Sequence, residues 1–278
     1  MSIKVKNLTY TYSKNTPFEK IALNNINLEI KSGELWLFVG HTGSGKSTLI
    51  NTFNGLLIPQ QGEVYIDEES TKSKEIKIKD IRRKVGIIFQ YPETQFFLPT
   101  IKEEILYAPK NFNVNIDKKE ISFYMQLLSL PYEYLERSPF NLSGGEMRKV
   151  AIISVLSYKP EYIIFDEPTV GLDYNSKKKL IQLIKKLRKN YHKTIIICTH
   201  DVDMLYQIAD NIIVINKGNI IIDGPKEEVF SKEELLKANG VGLPKILTFV
   251  NKARNNKGIN LVNCTDIKDL IKDVYRNV

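Results

Sequence analysis

Three groups of residues in this chain have the types and spacing to act on a phosphorylated substrate: a glycine-rich turn, an adjacent pair of carboxylates and a histidine. Gly40-His41-Thr42-Gly43-Ser44-Gly45-Lys46-Ser47 fits G-x-x-x-x-G-K-[ST], between an apolar run and a helical pattern over 47–57. The glycines let the backbone curl and aim successive N–H groups at phosphates, and a helix N-terminus favours negative charge. Lys46 is of a type that reaches the β- and γ-phosphates, and Ser47 one that ligates Mg²⁺. Gly40, Thr42, Gly43, Ser44, Gly45, Lys46, Ser47 and Thr48 are therefore candidate nucleotide-binding residues, whereas His41 reads as an exposed filler.

Tyr162-Ile163-Ile164-Phe165-Asp166-Glu167 sets two carboxylates at the end of an apolar run, an unfavourable place unless a cation or a reaction uses them. Asp166 suits Mg²⁺ held through water, and Glu167 suits orientation or deprotonation of an attacking water. Thr199-His200-Asp201 ends the next apolar run, which brings His200 toward the same γ-phosphate. A second helix start, Leu142-Ser143-Gly144-Gly145-Glu146, offers a serine cap, two glycines for close approach and a dipole that favours an anion. It lies about 100 residues beyond the first. If one chain cannot close both on a single nucleotide, a head-to-tail dimer can sandwich two.

The runs that must position these groups, Leu35-Trp36-Leu37-Phe38-Val39, Tyr162-Ile163-Ile164-Phe165 and Thr194-Ile195-Ile196-Ile197-Cys198, are apolar on both faces, as in buried parallel strands. With helical patterns between them, such as Leu180, Ile181, Leu183, Ile184 and Leu187 among lysines, they imply an α/β core whose site lies beyond the carboxyl ends of the strands. The segment at about 100–155 differs: helical patterns at 121–130 and 147–158, punctuated by Pro109, Pro131 and Pro139, predict an inserted helical subdomain. After Gly224-Pro225 come a helix near 232–238, a stretch at 244–252 and a last helix capped at Thr265 or Asp266.

Composition narrows the class. At 278 residues, 42% hydrophobic and 26% charged, the chain has room for one large domain or two small ones. No 18-residue window lacks a charged side chain and the start has no apolar stretch after its charges, so neither a membrane span nor a secretory signal is expected. Cys198 and Cys264 are too few for a disulfide framework, and with no CxxC pair they are not expected to form a zinc site. The net charge of +8 suits an acidic partner without choosing among nucleotide, nucleic acid and an anionic membrane face.

In order along the chain, Tyr12, the loop 40–47, Gln90 in Ile87-Ile88-Phe89-Gln90, the motif 142–146, the carboxylate strand 162–167, Gly171-Leu172-Asp173 and His200 resemble the ATP-binding-cassette ATPases over roughly residues 3–230. The resemblance implies a P-loop NTPase (RecA-like) core with an N-terminal antiparallel β subdomain, an inserted helical subdomain and a small C-terminal helical extension. It divides the chain into a nucleotide-binding domain at 1–230 and an extension at 231–278 that is expected to contact a dimer partner. It further implies that Tyr12 stacks on adenine, that Gln90 touches Mg²⁺ and the attacking water, and that Ser143, Gly144 and Gly145 contact ATP held by the partner's phosphate loop. Asp173 would help join the two sites.

A closer similarity, to the energy-coupling-factor transporter ATPases of the A-prime type, is carried by Thr16-Pro17-Phe18-Glu19-Lys20-Ile21-Ala22-Leu23, by Phe89-Gln90-Tyr91-Pro92-Glu93-Thr94-Gln95-Phe96-Phe97, by Arg137-Ser138-Pro139-Phe140 and by Gly242-Leu243-Pro244. It implies pairing with a sibling ATPase or a second copy, a membrane T subunit docking near 90–97, a solute-binding S component, and uptake of vitamins or transition-metal ions powered from the cytoplasmic face. Phe96 and Phe97 would offer that subunit apolar anchors and Glu93 a charge. Glu146 departs from the family's usual glutamine; it is expected near the ribose, tuning activity rather than abolishing it.

Other readings stand beside this one: the ATPase of another importer class, a soluble ATPase acting on nucleic acid, or a nucleotide-binding regulator without turnover. The basic helix with Lys177, Lys178, Lys179, Lys185, Lys186, Arg188 and Lys189 motivates the nucleic-acid reading. There is no second cassette, coiled-coil insertion or aromatic–basic stripe to go with it, and no nucleic acid is expected. The regulator reading needs a missing catalytic group, yet Glu167 and His200 are both present.

Overall fold

The computed structural model describes residues 1–73, 77–91, 94–257, 270–272 and 275. Pro92, Glu93, Cys264 and the expected cap at Thr265 or Asp266 lie outside them.

The N-terminal strands β1 (Ser2–Tyr12) and β2 (Lys20–Lys31) pair antiparallel. The chain then crosses to β3 (Leu35–Val39), enters α1 (Lys46–Phe53), and returns as β4 (Gln61–Ile66) and β5 (Glu69–Ser70) to complete a four-stranded antiparallel sheet in the order β2-β1-β4-β5. Helix α2 (Ile78–Lys84) leads into β6 (Val85–Ile88), which ends two residues before Gln90.

A helical segment follows: α3 (Ile101–Phe112), α4 (Lys118–Leu127), two short 3-10 turns and α5 (Gly144–Leu156). Each helix start has a side-chain cap, from Thr100, Asp117 and Ser143 in turn. Pro109 does not punctuate the pattern as expected, because it lies inside α3. A proline there leaves the carbonyl four residues earlier without its N–H partner. That carbonyl, of Ile105, accepts instead from Ser157 Oγ at 2.9 Å, so the helix runs on to Phe112.

Strand β7 (Tyr162–Asp166), helix α6 (Tyr174–Tyr191), strand β8 (Thr194–Thr199) and the hairpin β9 (Asn211–Asn216) and β10 (Asn219–Pro225) complete a six-stranded sheet, order β10-β9-β3-β8-β7-β6. All its pairings are parallel except β9–β10. Successive side chains of a strand point to opposite faces, and the two cores divide accordingly. Leu37, Phe165 and Ile197 face the core shared with α3, α5 and α6, while Phe38, Ile164 and Ile196 face α1 and the antiparallel sheet. This is the P-loop NTPase architecture, with an antiparallel sheet and a helical segment added to an α/β core.

Helices α7 (Lys226–Ser231), α8 (Glu233–Ala238) and α9 (Lys245–Lys257) follow. Phe230, Leu236 and Val241 join the same core as α6. Among the described residues, no helix is long and apolar enough to cross a membrane.

Candidate functional site

The glycine-rich turn leaves β3 at the centre of the parallel sheet and enters α1 through Gly45, whose φ of +116° is closed to most side chains. A Cβ there would also lie 2.8 Å from the Ala22 carbonyl oxygen. Lys46 is buried, and its Nζ donates to the carbonyls of Gly40 at 2.7 Å and His41 at 3.0 Å, so the turn curls around its own ammonium. Ser44 Oγ is buried without a hydrogen-bond partner, and the Ser44 carbonyl accepts from Gly218 N at 2.8 Å, which fixes the turn to the β9–β10 hairpin.

A cleft of about 510 Å³ opens over this turn. Of the residues singled out from the sequence, Tyr12, Thr42, Gly43, Gly45, Lys46, Ser47, Thr48, Gln90, Asp166, Glu167 and His200 line it, contributed by β1, α1 and the ends of β6, β7 and β8. The Tyr12 ring packs edge-on against Tyr10 at 4.9 Å, and its hydroxyl lies 3.2 Å from Thr48 Oγ1. Half-open in this way, the ring borders the cleft.

The carboxylate pair is asymmetric. Burial pushes the Asp166 carboxyl above the usual aspartate range, while a hydrogen bond from Ser47 and the Lys46 charge act against that shift. Glu167 follows in a left-handed backbone conformation, φ +48°, a placement that costs a non-glycine residue about 1–2 kcal/mol. Its N–H donates to the Cys198 carbonyl at 2.9 Å. Its carboxylate meets His200 Nδ1, 3.0 Å from each oxygen, and His200 is otherwise largely exposed to the cleft.

A nucleotide with its divalent cation fits these groups. The unpartnered Ser44 hydroxyl, the backbone N–H groups at the start of α1 and the ammonium of Lys46 suit phosphate oxygens. The oxygen set of Ser47 and Asp166 suits Mg²⁺, which favours hard ligands and keeps several waters.

Ser143, Gly144, Gly145 and Asp173 lie outside the cleft, at the starts of α5 and α6. Ser143 and Glu146 form a reciprocal cap: Ser143 Oγ and N donate to Glu146 Oε2 at 2.7 and 2.9 Å, which lowers the Glu146 pKa. The residue expected beside a ribose is thus engaged with the serine of its own motif. Nothing stands within 4 Å of where a Cβ on Gly144 or Gly145 would be, so that helix start is open. Asp173 caps α6 through Asn175 N and Ser176 N.

Lys20, Ile21 and Ala22, quoted from the sequence for the family similarity alone, and Lys217 and Gly218, which were not singled out, also line the cleft. A signal existed for the last two: Lys217-Gly218 sits between two isoleucine-rich runs with positive φ at both residues, the pattern of a tight hairpin. His41 is exposed, as expected, and its imidazole rests against Gly240. Phe96, expected to be an anchor, is buried in the core, whereas Phe97 is exposed.

The family described as ABC transporter matches residues 23–170. The energy-coupling factor transporter ATP-binding protein EcfA2 of Clostridium perfringens is 43% identical over 284 residues, covering 100% of this chain and 99% of the relative. EcfA2 of Clostridium tetani is 44% identical over 264 residues, with 94% and 91% covered. Among solved structures, cbiO1 of Clostridium perfringens, part of the ABC transporter complex cbiONQ, superposes with a TM-score of 0.71 at 32% identity, covering 90% of this chain and 98% of that one. The dimeric post-hydrolysis state of the ATP-binding cassette MJ0796 bound to ADP and Pi also gives 0.71 at 32% identity, with 81% and 98% covered.

Proposed function

The chain belongs to the ABC transporter family, among its energy-coupling factor transporter ATP-binding proteins, and from that premise we propose how its cleft binds and hydrolyses ATP to drive a membrane importer. The observation that carries the reading is the convergence of Lys46, Ser47, Asp166, Glu167 and His200 on one cleft. Tyr12 stacks on the adenine, and the turn 40–48 holds the phosphates through backbone N–H groups and Lys46. Ser47 and Asp166, with Gln90, hold Mg²⁺, which when bound neutralises charge on the β- and γ-phosphates.

Glu167 orients the attacking water and takes its proton, and His200, held by that carboxylate through Nδ1, turns its other ring nitrogen to the γ-phosphate. Gln90 contacts the same water. Ser143, Gly144 and Gly145, open on the surface of α5, complete the site of a second ATPase subunit, a sibling or another copy, with Asp173 at the junction.

The complex sits at the cytoplasmic face of the membrane. A T-type membrane subunit docks beside Gln90, where the exposed Phe97 stacks edge-on against Tyr107 at 4.9 Å, and a separate S component supplies the solute, a vitamin or transition-metal ion. Two measurements test this reading. Phosphate release by the purified chain with Mg²⁺-ATP must be detectable, and a mild-detergent pull-down read by mass spectrometry must return a sibling or second ATPase copy with membrane subunits. Recovery of RNA or DNA in place of membrane proteins would overturn the transporter assignment.

A further inference from the structure

Arg148 lies five residues into α5, counting from the Ser143 cap, and is buried. Its Nη2 donates to the backbone carbonyl of Gln90 at 2.8 Å. Its Nη1 donates to the carbonyl of Pro168 at 3.2 Å and to that of Val170. One guanidinium therefore holds the backbone of the segment that presents Gln90 and the backbone of the turn that joins Glu167 to Asp173.

The chemistry of the side chain fits such a link. A guanidinium stays charged at any physiological pH and presents its donors in a rigid plane, whereas an ammonium is a point charge on a flexible stem. Burying a cation is unfavourable unless hydrogen bonds surround it. The carbonyls here all belong to loops, which have no strand or helix ladder to fix them, so the loops gain their position from α5.

We propose that Arg148 is a positioning residue for hydrolysis, setting Gln90 and the turn after Glu167 relative to each other and to the helix start at 143–145. This rests on the reading of the cleft as an ATPase site. It goes beyond it by joining the two anion-binding helix starts. At 1.5 Å per residue, Arg148 stands about 7 Å along the axis from Ser143 within one rigid helix. A displacement of the helix start on meeting phosphate must carry the guanidinium, and with it the Gln90 carbonyl in the chain's own cleft.

Arg148→Lys and Arg148→Gln test the link in the full-length chain. For steady-state hydrolysis with Mg²⁺-ATP, kcat should fall by at least ~10-fold while KM and the affinity for a fluorescent ATP analogue hold within about threefold, the pattern of a lost transition-state interaction. Hydrogen exchange should quicken at the amides flanking Gln90 and Val170 and stay unchanged over 40–47. Unchanged kcat in either folded variant would overturn the proposal. So would faster exchange spread evenly over α5 and the whole cleft, or failure of both variants to fold, each of which marks a structural role only. A wild-type chain without hydrolysis would count against the ATPase reading instead, and the exchange pattern would still decide whether Arg148 ties the two loops.

Discussion

His200 Nδ1 stands 3.0 Å from both carboxylate oxygens of Glu167, reaching from the end of β8 to the end of the adjacent parallel strand β7. A carboxylate only accepts, so Nδ1 carries the shared proton and the other ring nitrogen is left for the cleft. The left-handed backbone at Glu167 turns the side chain out of the strand's own line.

Replacing Glu167 by glutamine keeps the shape and removes the base. Turnover should drop by ~10²-fold or more, as for loss of a general base, while ATP affinity persists. Lys46→Ala should instead weaken nucleotide binding. Phosphate release and equilibrium binding separate the two outcomes, and near-normal hydrolysis by Glu167→Gln would sink the assignment.

Asp166 carries a pH signature. Its carboxyl titrates above the ordinary aspartate value because burial disfavours the charge. The folded chain therefore holds that proton more tightly than the unfolded one, and its stability falls as pH rises from the ordinary aspartate value through the raised one. At neutral pH the ionised group destabilises the nucleotide-free fold. Asp166→Asn should raise the melting temperature by a few degrees at pH 7, a gain that shrinks toward the acidic end, and should lose Mg²⁺-dependent hydrolysis. A lower melting temperature for the variant at pH 7 would contradict this.

Space at Gly145 makes the sandwich testable. Since nothing lies within 4 Å of a Cβ there, Gly145→Asp should fold and bind ATP in each subunit. In the proposed sandwich the new charge would face the phosphates of the opposite chain, so ATP-driven dimers and turnover should be lost. Light scattering that still shows those dimers would refute the trans arrangement.

Glu146 holds the Ser143 hydroxyl and adds a negative charge at a helix start. Glu146→Gln should lose about 0.3–1 kcal/mol of favourable interaction with the helix dipole. It should also tighten ATP-driven dimerisation by about fivefold, the equivalent of ~1 kcal/mol for one like charge removed at a half-exposed place. Thermal melts and dimerisation isotherms must move in these opposite directions.

Phe97 is exposed, and its backbone N–H is held at 2.5 Å by the buried Glu104. Phe97→Asp should leave basal hydrolysis of the isolated ATPase unchanged and weaken assembly with the membrane subunit by about 30-fold, the scale of a lost interface hot spot. Normal assembly and transport in vesicles would remove this face from the docking surface.

The parts legible in the sequence are those whose physics is local. The run 35–39 is apolar because both its faces are buried, and the turn after it needs glycines wherever they stand in the fold. The antiparallel sheet was accessible through family resemblance alone, since β1 and β4 pair across some 60 residues with no short-range signal. Arg148 reads as one more charge beside Lys149 on α5, because its meaning lies in carbonyls 20 to 58 residues away. Pro109 looked like a breaker because Ser157, which takes up the freed carbonyl, is remote in sequence.

Strand β3, which carries the phosphate-binding turn, lies between β8 and β9, and neither neighbour begins until about 155 residues after Val39. At a synthesis rate of ~5–20 residues per second, the apolar strand waits on the order of ten seconds on the ribosome for its first partner. The Gly240 surface that backs His41 emerges later still. Nucleotide recognition is thus a late event in the birth of this protein, and a nascent chain released before β8 would own the whole phosphate-binding motif without either strand that flanks it.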